Sequence, residues 1–129
     1  MPKSFENLDA FQKAVDLSVE IYRATASFPD DERFELRKQL RCAAISVVSN
    51  IAEGQGRLTN GEWRQFLSQA RGSLFEIQAQ LIVAERLKFI DSARYQALRS
   101  AVIRAGRPLS GLIDYVCALE KQKRMKTEN

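Results

Sequence analysis

Apolar residues recur at steps of three and four along most of the chain, the mark of helices that bury one side. The first such stretch, roughly Leu8 to Ser27 with Asn7 as its cap, carries two apolar lines. Leu8, Phe11, Val15, Ser18 and Tyr22 form the line expected to face the core, and Ala14, Leu17, Ile21 and Ala24 form a second beside it. That arc is wider than one side of a small bundle requires. Pro29 ends the stretch by disfavouring helical geometry at Phe28. A second helix is predicted from about Asp31 to Glu53, with acids at 30, 31 and 32 suiting its N-terminus. Leu40, Ala44, Val47 and Ile51 point inward, while Ile45, Val48 and Ala52 lie on another side.

Ser49–Arg57 turns the chain. Gly54 or Gly56 is the expected left-handed C-cap, and Thr59 or Asn60 the N-cap of the helix that follows. This third helix, about Asn60 to Phe89, places Trp63, Leu67, Ala70, Leu74, Ile77, Leu81 and Ala84 in alternating steps of four and three, as in a bundle seam. Phe75, Ile82 and Phe89 repeat off that line, and Gly72 in mid-helix is best tolerated where a neighbouring helix passes close. Asp91 or Ser92 caps a fourth helix, about Ala93 to Lys121, carrying Tyr95, Leu98, Val102, Ala105, Leu109, Leu112, Val116 and Leu119. Pro108 is expected to bend it, with Gly106 easing the bend, and the basic tail from Lys121 to Lys126 to fray, as a solvated tail or, alternatively, a phosphate-contacting arm.

Four amphipathic helices joined by short connections, with no strand pattern, imply an all-α protein. The predicted architecture is one domain, residues 1–129, folded as an antiparallel up-down-up-down four-helix bundle. Its leftover apolar positions, Leu17, Ile21, Ile45, Val48, Phe75, Ile82 and Phe89, cannot all enter one core. Left in water they would form patches that monomers rarely carry, so they are expected to pack between subunits of a homo-oligomer.

Charge adds a second surface. Residues 1–36 carry four Lys/Arg and eight Asp/Glu, a net of −4; the remainder carries sixteen against eight, a net of +8. Thirteen of the twenty cations are Arg, the side chain that forks onto phosphate. Arg33, Arg37 and Arg41 stand four apart with Lys38 beside them, and with Arg57, Arg64 and Arg71 they are the candidate nucleic-acid contacts. The alternative is that the ridge pairs with Glu32, Glu35 or acids of the first helix.

The chain has no histidine, which removes Ser-His and Cys-His nucleophiles and the Glu-x-x-His di-iron motif. Two cysteines alone make no zinc site; Cys42 and Cys117 are expected to be small buried hydrophobes. Glu53 and Glu76 are expected to act structurally, accepting hydrogen bonds from Asn50, Ser73, Arg41 or Arg71. No enzymatic activity, cofactor or metal is expected. Nothing resembles a signal peptide or a membrane span, so the expected location is the cytoplasm.

Asn50-Ile51-Ala52-Glu53-Gly54 with Gly56-Arg57, then Phe66-Leu67, Gly72-Ser73, Glu76 and Gln80-Leu81, resembles the four-helix bundle protein family, also called the 23S rRNA intervening-sequence protein or S23 family. Phe5, Leu8, Gln12-Lys13-Ala14, Tyr22, Phe28-Pro29, Glu32, Leu36, Gln39 and Arg41 extend the likeness over most of residues 5–90. The fourth helix resembles the family only in pattern. The resemblance implies a homopentameric ring whose partners are RNA or DNA, or another protein. One relative, the accessory protein of diversity-generating retroelements, works with a reverse transcriptase and is similar to a basic, nucleic-acid-binding ring. The alternative is a structural or adaptor oligomer. Three positions depart from the family pattern: Cys42 where a second Arg is frequent, Lys88 where Gly is usual, and Pro108.

Overall fold

The computed structural model describes residues 4–30 and 35–128. After a short 3-10 turn, Phe5–Asn7, come four helices: α1, Asp9–Thr25; α2, Leu36–Gln55; α3, Asn60–Arg86; and α4, Ser92–Glu128. No strand occurs among the described residues. The packed neighbours are α1 with α2, α2 with α3, α3 with α4, and α4 with α1. That square is a four-helix bundle, and the α1/α2 face therefore lies opposite the α3/α4 face. The expected start of α2 at Asp31 lies outside the described residues.

One cluster of buried residues fills the interior, drawn from all four helices. The inward lines of α2 and α4 are buried as their spacing predicts, with Tyr95, Leu112 and Leu119 only half-buried. That of α3 is buried from Leu67 to Ala84, with Trp63 half-buried at its start. In α1 the two lines are exchanged. Ala14, Leu17, Ile21 and Ala24 face the core, while Tyr22 is exposed and Val15 half-buried. Spacing alone cannot rank two apolar lines. Here the line with two alanines lets the helices approach closely, and the phenol of Tyr22 stays wet. Ser18 remains buried because its hydroxyl donates to the Ala44 carbonyl at 3.1 Å.

The helix ends show which capping expectations hold. Thr59 caps α3, its hydroxyl accepting from the Glu62 amide at 3.2 Å and donating to the Glu62 carboxylate at 3.0 Å. Asp91 caps α4 by accepting from the Arg94 amide at 2.7 Å. Asn7 is not a cap: it belongs to the 3-10 turn, and Leu8 precedes α1 without a side-chain cap. Gly56 ends α2 with φ of −89°, in a tightened turn to the Glu53 carbonyl rather than a left-handed one. The left-handed cap lies instead after α3. Lys88 has φ of 63°, with its amide bonded to the Glu85 carbonyl and the Phe89 amide to Ala84, each at 2.9 Å. These two bonds are the Schellman closure that usually employs glycine.

Further expectations are corrected. Gly54 is not a cap but a contact: a Cβ there would meet Phe66 Cβ and Trp63 Cδ1 at 3.1 Å. Gly72 has nothing within 4 Å, so no neighbouring helix explains it. Cys42 and Cys117 are exposed, because both fall outside the inward lines of their helices. The basic residues after Lys121 belong to α4, which runs on past Pro108 to Glu128, so the tail is helical.

Candidate nucleic-acid interface

Antiparallel packing brings the first turns of α2 beside the last turn of α1, whose terminal carbonyls lack helical partners. Arg41 reaches one of them, and Arg37 a carbonyl in the turn just beyond the helix. Arg37 donates to the Phe28 carbonyl at 2.6 Å. Arg41 donates to the Tyr22 carbonyl at 3.1 Å and to Thr25 Oγ1 at 2.8 Å, with its guanidinium 4.6 Å from the Tyr22 ring centre. Positive charge at a helix C-terminus is also favoured by the helix dipole. The expected ridge is thus largely turned inward, onto carbonyls rather than carboxylates. Lys38 is exposed, and Arg33 lies outside the described residues.

The other candidate cations separate. Arg57 pairs with Glu53 at 3.8 Å and lies 4.4 Å from the Phe66 ring centre. Arg64 bridges α3 to α4 through a 2.6 Å contact with Glu120. Arg71 is exposed and lines a groove between α3 and α4. Among the described residues only Lys13, Arg57 and Arg64 form ion pairs.

The cations missed by ridge spacing lie on α4. This helix holds eight Lys/Arg against three Asp/Glu, a net of +5, more than the +4 of the whole chain. All eight are exposed and none is ion-paired among the described residues. Lys121, Lys123, Arg124 and Lys126 crowd its last turns, and of these Lys123 and Arg124, with Glu120, lie beside Thr59, Asn60 and Gly61 at the start of α3. Charge counted helix by helix finds this surface; a search for cations four apart does not.

The motif residues are mostly internal stitching. Asn50 donates to the Ser46 carbonyl at 2.8 Å and to Ser46 Oγ at 3.0 Å, and Ser73 donates to Ser46 Oγ at 3.0 Å across α2 and α3. Glu53 and Glu76 are both exposed and share no cleft. Among the described residues no hydrogen bond joins them to Asn50, Ser73, Arg41 or Arg71: Asn50 and Ser73 donate to Ser46, Arg41 donates to α1, and Arg71 lines the α3/α4 groove.

The expected interface residues also divide. Leu17 and Ile21, 1% and 0% exposed, have no surface to offer a partner and belong to the core. Phe89 is half-buried against Phe28, ring centres 5.3 Å apart. Ile45, Phe75 and Ile82 do reach the surface, and Val48 is half-buried. Two apolar grooves result. One, about 470 Å³, lies between α1 and α2 and is lined by Val15, Val19, Tyr22, Ile45 and Val48, with Arg23 as its one charged residue. The other, about 490 Å³, lies between α3 and α4 around Phe75, Val102 and Ile103, and Ile82 continues it. No helix among the described residues is long and apolar enough to cross a membrane.

No curated protein matches the sequence. A crystal structure of a protein of unknown function from the S23 ribosomal protein family of Bacteroides thetaiotaomicron superposes with a TM-score of 0.75 at 18% identity, covering 81% of this chain and 95% of that one. At that identity the likeness concerns the fold. The model of the 23S rRNA-intervening sequence protein family matches residues 6–111, and the chain belongs to that family.

Proposed function

We propose that this chain is a non-enzymatic cytoplasmic scaffold that assembles with copies of itself and holds RNA or DNA by its phosphates without reading sequence. The family resemblance suggests five copies. The observation that carries the reading is the unpaired +5 of α4. Repetition in an oligomer turns such a patch into a multivalent one. Few rings are free to stack on bases: Phe28 and Phe89 pack on each other, Phe5 on Phe11, and Tyr22 lies under Arg41, which leaves Phe75 and Tyr115 as the exposed ones among the described residues.

The test is fluorescence anisotropy with labelled oligonucleotides of unrelated sequence at about 50 mM salt, where phosphate contacts are strong. Replacing Lys121, Lys123, Arg124 and Lys126 by Ser should weaken every oligonucleotide by a similar factor. No binding by the wild type would overturn the nucleic-acid reading. An adaptor oligomer with a protein partner, such as a reverse transcriptase, would then take its place. Leu58, 98% exposed at the tip of the α2–α3 turn, is the observation that favours such a partner.

A further inference from the structure

The two apolar grooves differ in charge. The α1/α2 groove has only Arg23. The α3/α4 groove has Arg71 on its α3 wall and Arg107 and Asp114 on its α4 wall, and Arg99 lies beside Ile82 where it continues. None of these three arginines is ion-paired among the described residues. Phe75 stands in the same groove, 63% exposed and one helical turn from Arg71, so the two are neighbours on α3. Tyr115 meets Trp63 and Tyr22 lies under Arg41, but the Phe75 ring has no ring or cation partner among the described residues. The α4 wall facing it is low. Gly106 and Gly111 line it, at a cost in helix propensity, and a Cβ at Gly111 would have nothing within 4 Å.

We propose that the α3/α4 groove takes a single-stranded stretch of nucleic acid, with a base lying on the Phe75 ring and the flanking phosphates on Arg71 and Arg107. This rests on the nucleic-acid reading above and names the class of strand. An exposed aromatic beside unpaired cations suits a single strand: every base has a π-face, so stacking tolerates any sequence. A duplex keeps its bases stacked inside and would offer this groove only its backbone, leaving Phe75 without a partner. Gly106, Ser110 and Gly111 leave room on the α4 side for a flat ring, and Gln78 and Ser110 supply hydrogen-bonding groups that any base edge can use. An apolar protein surface fits less well. It would cover Arg71 and Arg107 together with Phe75, and burying charge without a partner is costly. A strand supplies the phosphates that pair with them.

Anisotropy titrations of a labelled single strand, and of the duplex it forms with its complement, test this at about 50 mM salt. The wild type should bind the single strand more tightly, although the duplex is the more highly charged. Phe75→Ala should weaken the single strand by about 5- to 150-fold, the loss of one base from an aromatic platform, and leave the duplex unchanged. Phe75→Tyr should keep wild-type binding and Phe75→Leu should not, because a ring is needed rather than apolar bulk. Arg71→Ser with Arg107→Ser should flatten the log–log salt slope for the single strand by about 1.4, two phosphates at about 0.7 each. Position 75 is exposed, so its variants keep the core, and light scattering should give each the wild-type mass. Equal binding of strand and duplex, with no effect of Phe75→Ala, would overturn the groove assignment and leave phosphate binding standing. A lower mass for Phe75→Ala would make the groove a contact between copies and overturn it too. No binding of either nucleic acid would instead overturn the phosphate reading itself.

Discussion

Lys88→Gly should stabilise the protein, and the reason is local. Lys88 is the only residue other than glycine with positive φ among the described residues, at 63°. A left-handed conformation brings Cβ close to the following carbonyl oxygen and costs an L-residue about 1–2 kcal/mol. Glycine removes that clash but loses about 0.5–1 kcal/mol through the greater freedom of its unfolded chain. The side chain is exposed and no partner holds it, so nothing else of consequence is lost. The net gain is about 0.5–1 kcal/mol, worth roughly 2–4 °C in Tm for a domain of this size. Urea unfolding followed by circular dichroism is the assay, at one fixed protomer concentration because assembly shifts apparent stability. The midpoint should rise with an unchanged slope. Lys88→Ala is the control: it keeps Cβ and should change little. Equal midpoints for the Gly and Ala variants would refute the strain argument.

Two other glycines give opposite expectations for the same substitution. Gly54→Ala should destabilise by about 1–3 kcal/mol, because the new Cβ meets Phe66 and Trp63 at 3.1 Å. Gly72→Ala, facing open space, should stabilise by about 0.5–1 kcal/mol through helix propensity alone. Thermal melts of the two variants check both. Arg41→Met should lower stability by about 0.5–1.5 kcal/mol by removing the donor to Thr25 Oγ1 and one of the two side-chain donors to the Tyr22 carbonyl, while oligonucleotide affinity changes little. Denaturant melts beside anisotropy titrations separate those effects. Arg64→Ala should cost only about 0–1 kcal/mol, since its ion pair with Glu120 is part-exposed.

Periodicity made the four helices and most of the core legible. The sequences of α2 and α3 each contain one dominant apolar line, and those lines are buried, apart from the half-buried Trp63 that opens α3. α1 has two lines of similar hydrophobicity, and only its neighbours decide which faces inward. The basic ridge misled for a related reason. Arg37 and Arg41 do share a helix face, but that face meets the C-terminus of α1, and carbonyl acceptors carry no mark in a sequence. The glycine positions were legible as special without revealing why. Gly54 marks close packing, while the left-handed cap fell to Lys88, the position where the family resemblance expects glycine. The α4 surface was visible in part, as the basic tail Lys121–Lys126; Arg94, Arg99, Arg104 and Arg107 do not fall into one stripe and showed only in the uneven net charge.

The salt dependence of binding to two oligonucleotides of unrelated sequence tests the central claim most directly. Phosphate binding without sequence readout predicts two superimposable lines of log K against log salt, each falling by about 0.7 to 0.9 per phosphate neutralised. With four cations crowded at the end of α4 in every copy, the slope should be steep. Lines that differ between the two sequences, or a flat response to salt, would contradict it.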